Sequence, residues 1–84
     1  MYQVIYARSA RKELKHLPVK VISAVIEQTD ALANDPRPRG SKKLKGYKNS
    51  WRIRIGDYRV IYRIEDKVRI VRVTNIGHRG EIYD

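Results

Sequence analysis

Between residues 51 and 74 the chain carries three alternating segments joined by two very short turns, and this leaves little freedom in how it can fold. Residues 51–55 and 58–64 flank Gly56-Asp57, and Glu65-Asp66 separates the second segment from residues 67–74. Links this short join antiparallel neighbours, so a three-stranded meander is predicted. Side chains two apart on a strand share a face. Arg52 and Arg54 therefore point one way, while Trp51, Ile53 and Ile55 point the other. Arg59 follows across the first turn and returns to the neighbourhood of Arg54.

The N-terminal half reads differently. Residues 2–7 alternate as a first strand, with Val4 and Tyr6 on one side and Ile5 between them. Ser9 is placed to cap a short helix by accepting a backbone N–H, and Leu14 and Leu17 give that helix an inner face. Pro18 marks a break or the first turn of a second helix. In that helix Ile22, Val25, Ile26, Thr29, Leu32 and Ala33 recur at three- and four-residue spacing, the mark of a core-facing stripe. Asn34-Asp35-Pro36 ends it, because the residue before proline avoids helical geometry. Residues 35–50 read as a loop anchored by Leu44 and Tyr47, and residues 81–84 as a short last segment after a turn bracketed by Gly77 and Gly80.

Helices at one end of a sequence and strands at the other argue an α+β fold. The expectation is one domain over residues 1–84, with an N-terminal strand and a two-helix hairpin packed on one face of a mainly antiparallel sheet. The other face is then open, and Arg52, Arg54 and Arg59 are expected there.

The charge says what such a face would attract. The chain has 19 Lys+Arg against 9 Asp+Glu, a net charge of +10, and residues 35–50 alone carry 6 basic groups and 1 acidic group. Such a field draws polyanions, so a nucleic acid or an acidic protein is the expected partner. Lys42, Lys43, Lys45 and Lys48 read as an electrostatic rim that holds a polyanion without reading its sequence. Cysteine is absent, and His16 and His78 lack a ligand cluster, so neither a metal site nor a cofactor is expected. No apolar run approaches transmembrane length and the N-terminus lacks signal-peptide character, so a cytoplasmic location without a membrane partner is expected.

RNA can be cleaved without metal when the 2′-hydroxyl attacks the adjacent phosphorus in line. A protein can orient the strand, set fixed positive charge against the phosphoryl oxygens and move protons. Arginine suits the second task, since its planar fork binds phosphate in two places and stays charged. His78, beside Arg79 on a Gly-flanked turn, is a candidate for proton transfer, because histidine is the side-chain type that titrates near neutrality. His16 reads as an exposed or structural residue of a basic helix. Tyr83 reads either as a ring that stacks a base or as a terminal residue that docks or frays, and Trp51 reads as a core anchor. Arg63, Arg69 and Arg72 make the whole sheet arginine-rich, so arginine count alone does not define a site.

Several motifs together resemble the RelE/ParE superfamily of toxin–antitoxin toxins over nearly the whole chain. They are the helix opening at residues 9–14, Asp35-Pro36-Arg37, Lys43-Leu44-Lys45-Gly46, Trp51-Arg52-Ile53-Arg54-Ile55, Gly56-Asp57-Tyr58-Arg59-Val60-Ile61-Tyr62, and Ile76-Gly77-His78-Arg79 with Ile82-Tyr83. The resemblance implies a fold like that of a microbial ribonuclease. In the RelE branch it implies a metal-independent endoribonuclease that cleaves mRNA in the ribosomal A site and is neutralised by a cognate antitoxin. Contact with operator DNA would come only through that antitoxin.

By the same resemblance, Arg52 and Arg54 match a basic pair at the scissile phosphate, and Arg59 matches the arginine that stabilises developing phosphoryl charge. Arg79 matches the arginine at the leaving group, and Tyr83 the tyrosine that stacks the mRNA base. Where many nucleases of this branch carry lysines, this chain has Arg52 and Arg54, and arginine is a poor general base. Either His78 shares the proton transfer or the barrier is lowered mainly by electrostatics. Two other readings stay open: a ParE-like gyrase poison without nuclease activity, and a basic RNA-binding module without chemistry.

Overall fold

A computed structural model describes residues 1–78. The chain runs β1 (Gln3–Tyr6), α1 (Arg8–Lys15), α2 (Val19–Ala31), β2 (Lys42–Lys43), β3 (Ser50–Ile55), β4 (Tyr58–Glu65) and β5 (Ile70–His78). The strands form one sheet in the order β1-β5-β4-β3-β2. Every neighbouring pair is antiparallel except β1 and β5, which are parallel. The α+β architecture and the central meander are those expected. β2, within the segment read as loop, was not expected.

Two-residue alternation builds the core. Val60, Tyr62 and Ile64 of β4 are buried on one sheet face with Ile53, Val71, Val73 and Ile76, and meet Ala10 of α1 and Val25 and Leu32 around α2. Each such aliphatic side chain, once buried, stabilises the fold by about 1.5–3 kcal/mol. Along α2 the stripe narrows: Val25, Thr29 and Leu32 are buried, but Ile26 is 42% exposed, because one step around the helix carries it off the contact line. The buried Thr29 hydroxyl is satisfied twice, by donating to the Val25 carbonyl at 2.8 Å and by pairing with the Tyr6 hydroxyl. Tyr62, fully buried, donates to the Pro36 carbonyl at 2.8 Å, which ties the segment after α2 to the sheet. Burial pushes its phenol up to about 12.

β5 extends beyond residue 74, the expected end of the third segment. Ile61 pairs with Asn75 and Tyr62 with Val73, so Thr74 is an extra residue in the ladder, a β-bulge. The bulge shifts the phase, and Ile76 enters the core where strict alternation from Val71 and Val73 would have buried Asn75.

Past the end of β1, α1 takes over the exposed edge of β5. Ala7 N–H donates to the Val73 carbonyl at 2.8 Å, the Ser9 hydroxyl donates to the Thr74 carbonyl at 3.0 Å, and Ile76 N–H donates to Glu13 Oε1 at 2.9 Å. Ser9 is therefore not the helix cap. Ala7 occupies that position, and no side chain caps it.

At the other end of the meander, residues 66–69 form a four-residue turn with Arg69 at φ 56°, one residue pair longer than the expected Glu65-Asp66 link. Asp66 accepts from the Tyr2 hydroxyl at 2.6 Å and from Arg37 Nη2 at 2.9 Å, and the Arg37 guanidinium lies 5.5 Å from the Trp51 ring centre. Among the described residues no helix is long and apolar enough to cross a membrane.

Candidate active site and nucleic-acid interface

The helices cover one sheet face, and the arginines lie on the other. Arg54 is paired directly with Arg59 across the β3–β4 hairpin, and Arg59 is flanked on β5 by Gly77. One step along, Arg52 pairs with Ile61, which is flanked by Asn75. Two cross-strand rows result: Arg54–Arg59–Gly77 and Arg52–Ile61–Asn75. Gly77 adds no side chain to its row, so the two guanidinium groups stand beside a low step in the sheet surface.

The three arginines differ in exposure. Arg54 is exposed and Arg59 half-buried, whereas Arg52 is only 5% exposed. The expectation that all three meet solvent is corrected for Arg52. It lies on β3 between Lys42 of β2 and Ile61 of β4, its register partners on either side. Like charges set directly opposite on a sheet repel each other. A pair kept in that arrangement is suited to an anion that bridges it.

Asn75 joins this face as an exposed amide beside Ile61, and sequence reasoning passed over it. Its placement depends on the bulge at Thr74, which reverses the facing of every later β5 residue. Further along the same face Arg63 pairs with Arg72, but Arg72 Nε donates to Glu65 Oε2 at 2.8 Å. That bond holds the Glu65 carboxyl below its usual range and commits Arg72 to the fold.

His78 is not brought to the arginines. It pairs with Tyr58, and the two rings meet edge to face with centroids 5.3 Å apart. Both lie on the helix side, in an open cleft of about 520 Å³ lined also by Glu13, His16, Leu17 and Ile76. His16 is exposed, as expected, at the rim of the cleft that Glu13 and Leu17 also line. Arg79 and Tyr83, like residues 81–84 as a whole, lie outside the described residues. Among the described residues no group of three or more His, Cys, Asp or Glu side chains converges.

The lysines divide between faces. Lys42 pairs with Arg52 and so continues the arginine row, while Lys43 pairs with Trp51 and faces the other way. Lys45 and Lys48 follow in the loop, and all four are exposed. Leu44 anchors this loop at 6% exposure, but Tyr47, expected to do the same, is 60% exposed. The loop closes on itself through Leu44 N–H to the Ser50 carbonyl at 2.9 Å and Ser50 N–H to the Tyr47 carbonyl at 3.3 Å.

Known proteins resemble this chain in sequence and in fold. Over 88 residues the chain is 35% identical to Toxin RelE3 of Methanocaldococcus jannaschii, covering 98% of this chain and 96% of that protein. It is 31% identical over 83 residues to Toxin RelG of Mycobacterium tuberculosis, covering 98% and 95%. In three dimensions it matches the archaeal RelE–RelB complex from Pyrococcus horikoshii OT3 with a TM-score of 0.83 at 31% identity, over 96% of this chain and 98% of that one. The RelBE2 toxin–antitoxin complex of Mycobacterium tuberculosis matches with a TM-score of 0.82 at 32% identity, over 93% and 98%. Residues 4–83 fit the family model described as the ParE toxin of the type II toxin–antitoxin system parDE. The chain belongs to the RelE/ParE superfamily of type II toxin–antitoxin toxins.

Proposed function

We propose that this toxin is a metal-independent endoribonuclease that cuts mRNA in the ribosomal A site, and that a cognate antitoxin neutralises it. The observation that carries the reading is the Arg54–Arg59 pair on the uncovered sheet face, with Arg52 in the adjoining row. The scissile phosphate would lie over that pair, beside Gly77. The 2′-oxygen attacks phosphorus, the 5′-oxygen leaves, and the products are a 2′,3′-cyclic phosphate and a 5′-hydroxyl end. Arg54 and Arg59 would each offer a planar fork to the non-bridging oxygens as charge builds there. Arg52, fixed by its burial, would hold the phosphate or the nucleophile in line. Arg79 at the leaving group and Tyr83 against a base complete the reading by family resemblance.

Proton transfer is not assigned to His78 in this proposal. Its ring meets Tyr58 on the helix side, so the barrier would be lowered mainly by fixed charge. The antitoxin partner is supported by similar toxins captured in RelB–RelE complexes and by the net charge of +10, which suits an acidic antitoxin segment.

A gyrase-poisoning activity is the second reading, favoured by the ParE description of the matching family model. Mapping mRNA 5′ ends after induction separates the two. The nuclease leaves codon-phased ends, and Arg59→Ala removes them. A gyrase poison induces DNA damage and leaves mRNA intact.

A further inference from the structure

The loop of residues 43–48 does more than add charge. Its lysines surround an aromatic ring held out in solvent: Tyr47 is 60% exposed, and Lys43, Lys45 and Lys48 line an open cleft of about 590 Å³ with it. A tyrosine usually buries most of its ring, so an exposed one on a braced loop calls for a reason.

The bracing is extensive. Leu44 is buried beneath the loop, Gly46 at φ 80° and Asn49 at φ 56° turn the chain, and the Ser50 hydroxyl donates to the Lys48 carbonyl at 3.3 Å. Asn49 is itself tied to the sheet, its carbonyl accepting from Ile64 N–H at 2.9 Å. The ring is thus presented by a fixed backbone. Aromatic rings interleaved with cations are what single-stranded nucleic acid binds, since every base has a stacking face and every nucleotide a phosphate.

We infer that residues 43–48 form a second nucleotide-binding point, where the Tyr47 ring stacks on an unpaired RNA base and Lys45 and Lys48 hold the flanking phosphates. This rests on the reading of the protein as RNA-directed. The nucleotide bound here is not the one cut. The loop feeds β3 at Ser50, and Arg54 lies four residues further along that strand, roughly 13 Å at about 3.3 Å per residue. The loop would grip exposed RNA next to the scissile step and set its register on the sheet.

The test is a binding titration of the purified full chain with a short single-stranded oligoadenylate and with an RNA duplex, each at several salt concentrations. Tyr47→Ala is expected to weaken oligoadenylate binding about tenfold, with the salt slope and duplex binding unchanged, and Tyr47→Trp to restore it. Lys45→Ala is expected to lower the salt slope by about 0.7. Unchanged oligoadenylate affinity in Tyr47→Ala overturns the inference. So does an equal loss on duplex, which would make the ring indifferent to unpaired bases. The titration reads no cleavage, so it is separable from the nuclease assignment: phased mRNA ends with Tyr47-independent binding sink only the loop proposal.

Discussion

Arg54 and Arg59 occupy directly opposed positions on neighbouring antiparallel strands, two like charges facing each other on the uncovered side of the sheet. Like charges set directly opposite on a sheet repel each other, in general by on the order of 0.2–1 kcal/mol. Replacing the exposed member, Arg54→Thr, relieves the repulsion and supplies a better strand former. The variant should melt a few degrees higher, since about 1 kcal/mol corresponds to roughly 4–8 °C in a chain of this size. On ribosome-bound mRNA it should cleave about 10²–10³-fold more slowly, the usual loss when one donor aimed at developing charge is removed. A variant that is both destabilised and fully active would contradict this account of the pair.

Glu13 is unusual among the carboxylates in that it replaces a strand. Where β1 ends, the Ile76 N–H would be left without a partner, and Glu13 Oε1 accepts it at 2.9 Å. Glu13→Ala should destabilise by about 1–3 kcal/mol, the cost of stranding a donor at a partly buried position. Glu13→Gln keeps an acceptor oxygen and should recover most of that loss. Hydrogen exchange at the Ile76 amide is the sharper measurement: fast in Glu13→Ala, slow in the wild type and in Glu13→Gln. Equal protection in all three would assign the bond no role.

These two relationships show what is legible in such a chain and what is not. The hairpin that opposes Arg54 to Arg59 is local, announced by Gly56-Asp57 between alternating segments, and it came out as expected. The helix stripe was also local, and only its margin at Ile26 was misjudged. The parallel pairing of β1 with β5, by contrast, joins residues 67 apart in sequence, as in Gln3 with Ile70, and nothing near either strand encodes it. The bulge at Thr74 carries no residue-type signal either, yet it decides that Ile76 is core, that Asn75 joins the arginine face and that His78 leaves it. Ring hydrophobicity favours burial of Tyr47, but the short braced loop leaves the ring 60% exposed in an open cleft.

Two carboxyls at and just beyond the end of β4 contribute to the acid limb of stability. Asp66 is held below the usual carboxylate range, first by its hydrogen bond from Arg37 and then by that from Tyr2, and Arg72 acts likewise on Glu65. A carboxyl whose folded value lies below its unfolded one contributes stability at pH values above the unfolded value, near 4, and loses it as the pH falls through the folded value. The melting temperature should therefore be flat from about pH 6 to about pH 4 and fall below that. Asp66→Asn should flatten part of the fall. The effect should be modest, since the Arg37–Asp66 pair is exposed, with side chains 41% and 53% accessible. An acid limb identical in wild type and variant would show that the pair contributes nothing measurable.

The position of His78 yields the most direct check on how protons would move in the proposed cleavage. Its ring meets Tyr58 edge to face and lines the cleft beside Glu13 and His16, on the sheet side opposite Arg52, Arg54 and Arg59. A general base must come within about 2.6–3.2 Å of the proton it takes, directly or through one water, and this imidazole and a phosphate seated on the arginines lie on opposite faces of the sheet. His78→Gln should therefore cleave mRNA within about threefold of the wild-type rate, well short of the 10²–10⁴-fold usually lost with a proton-transfer group. The shape of the pH–rate profile between about pH 6 and pH 8, where histidines titrate, should also be retained. Single-turnover cleavage on programmed ribosomes across that range is the measurement. If the variant loses 10²-fold or more and its profile flattens, His78 reaches the reacting atoms and fixed charge alone does not lower the barrier.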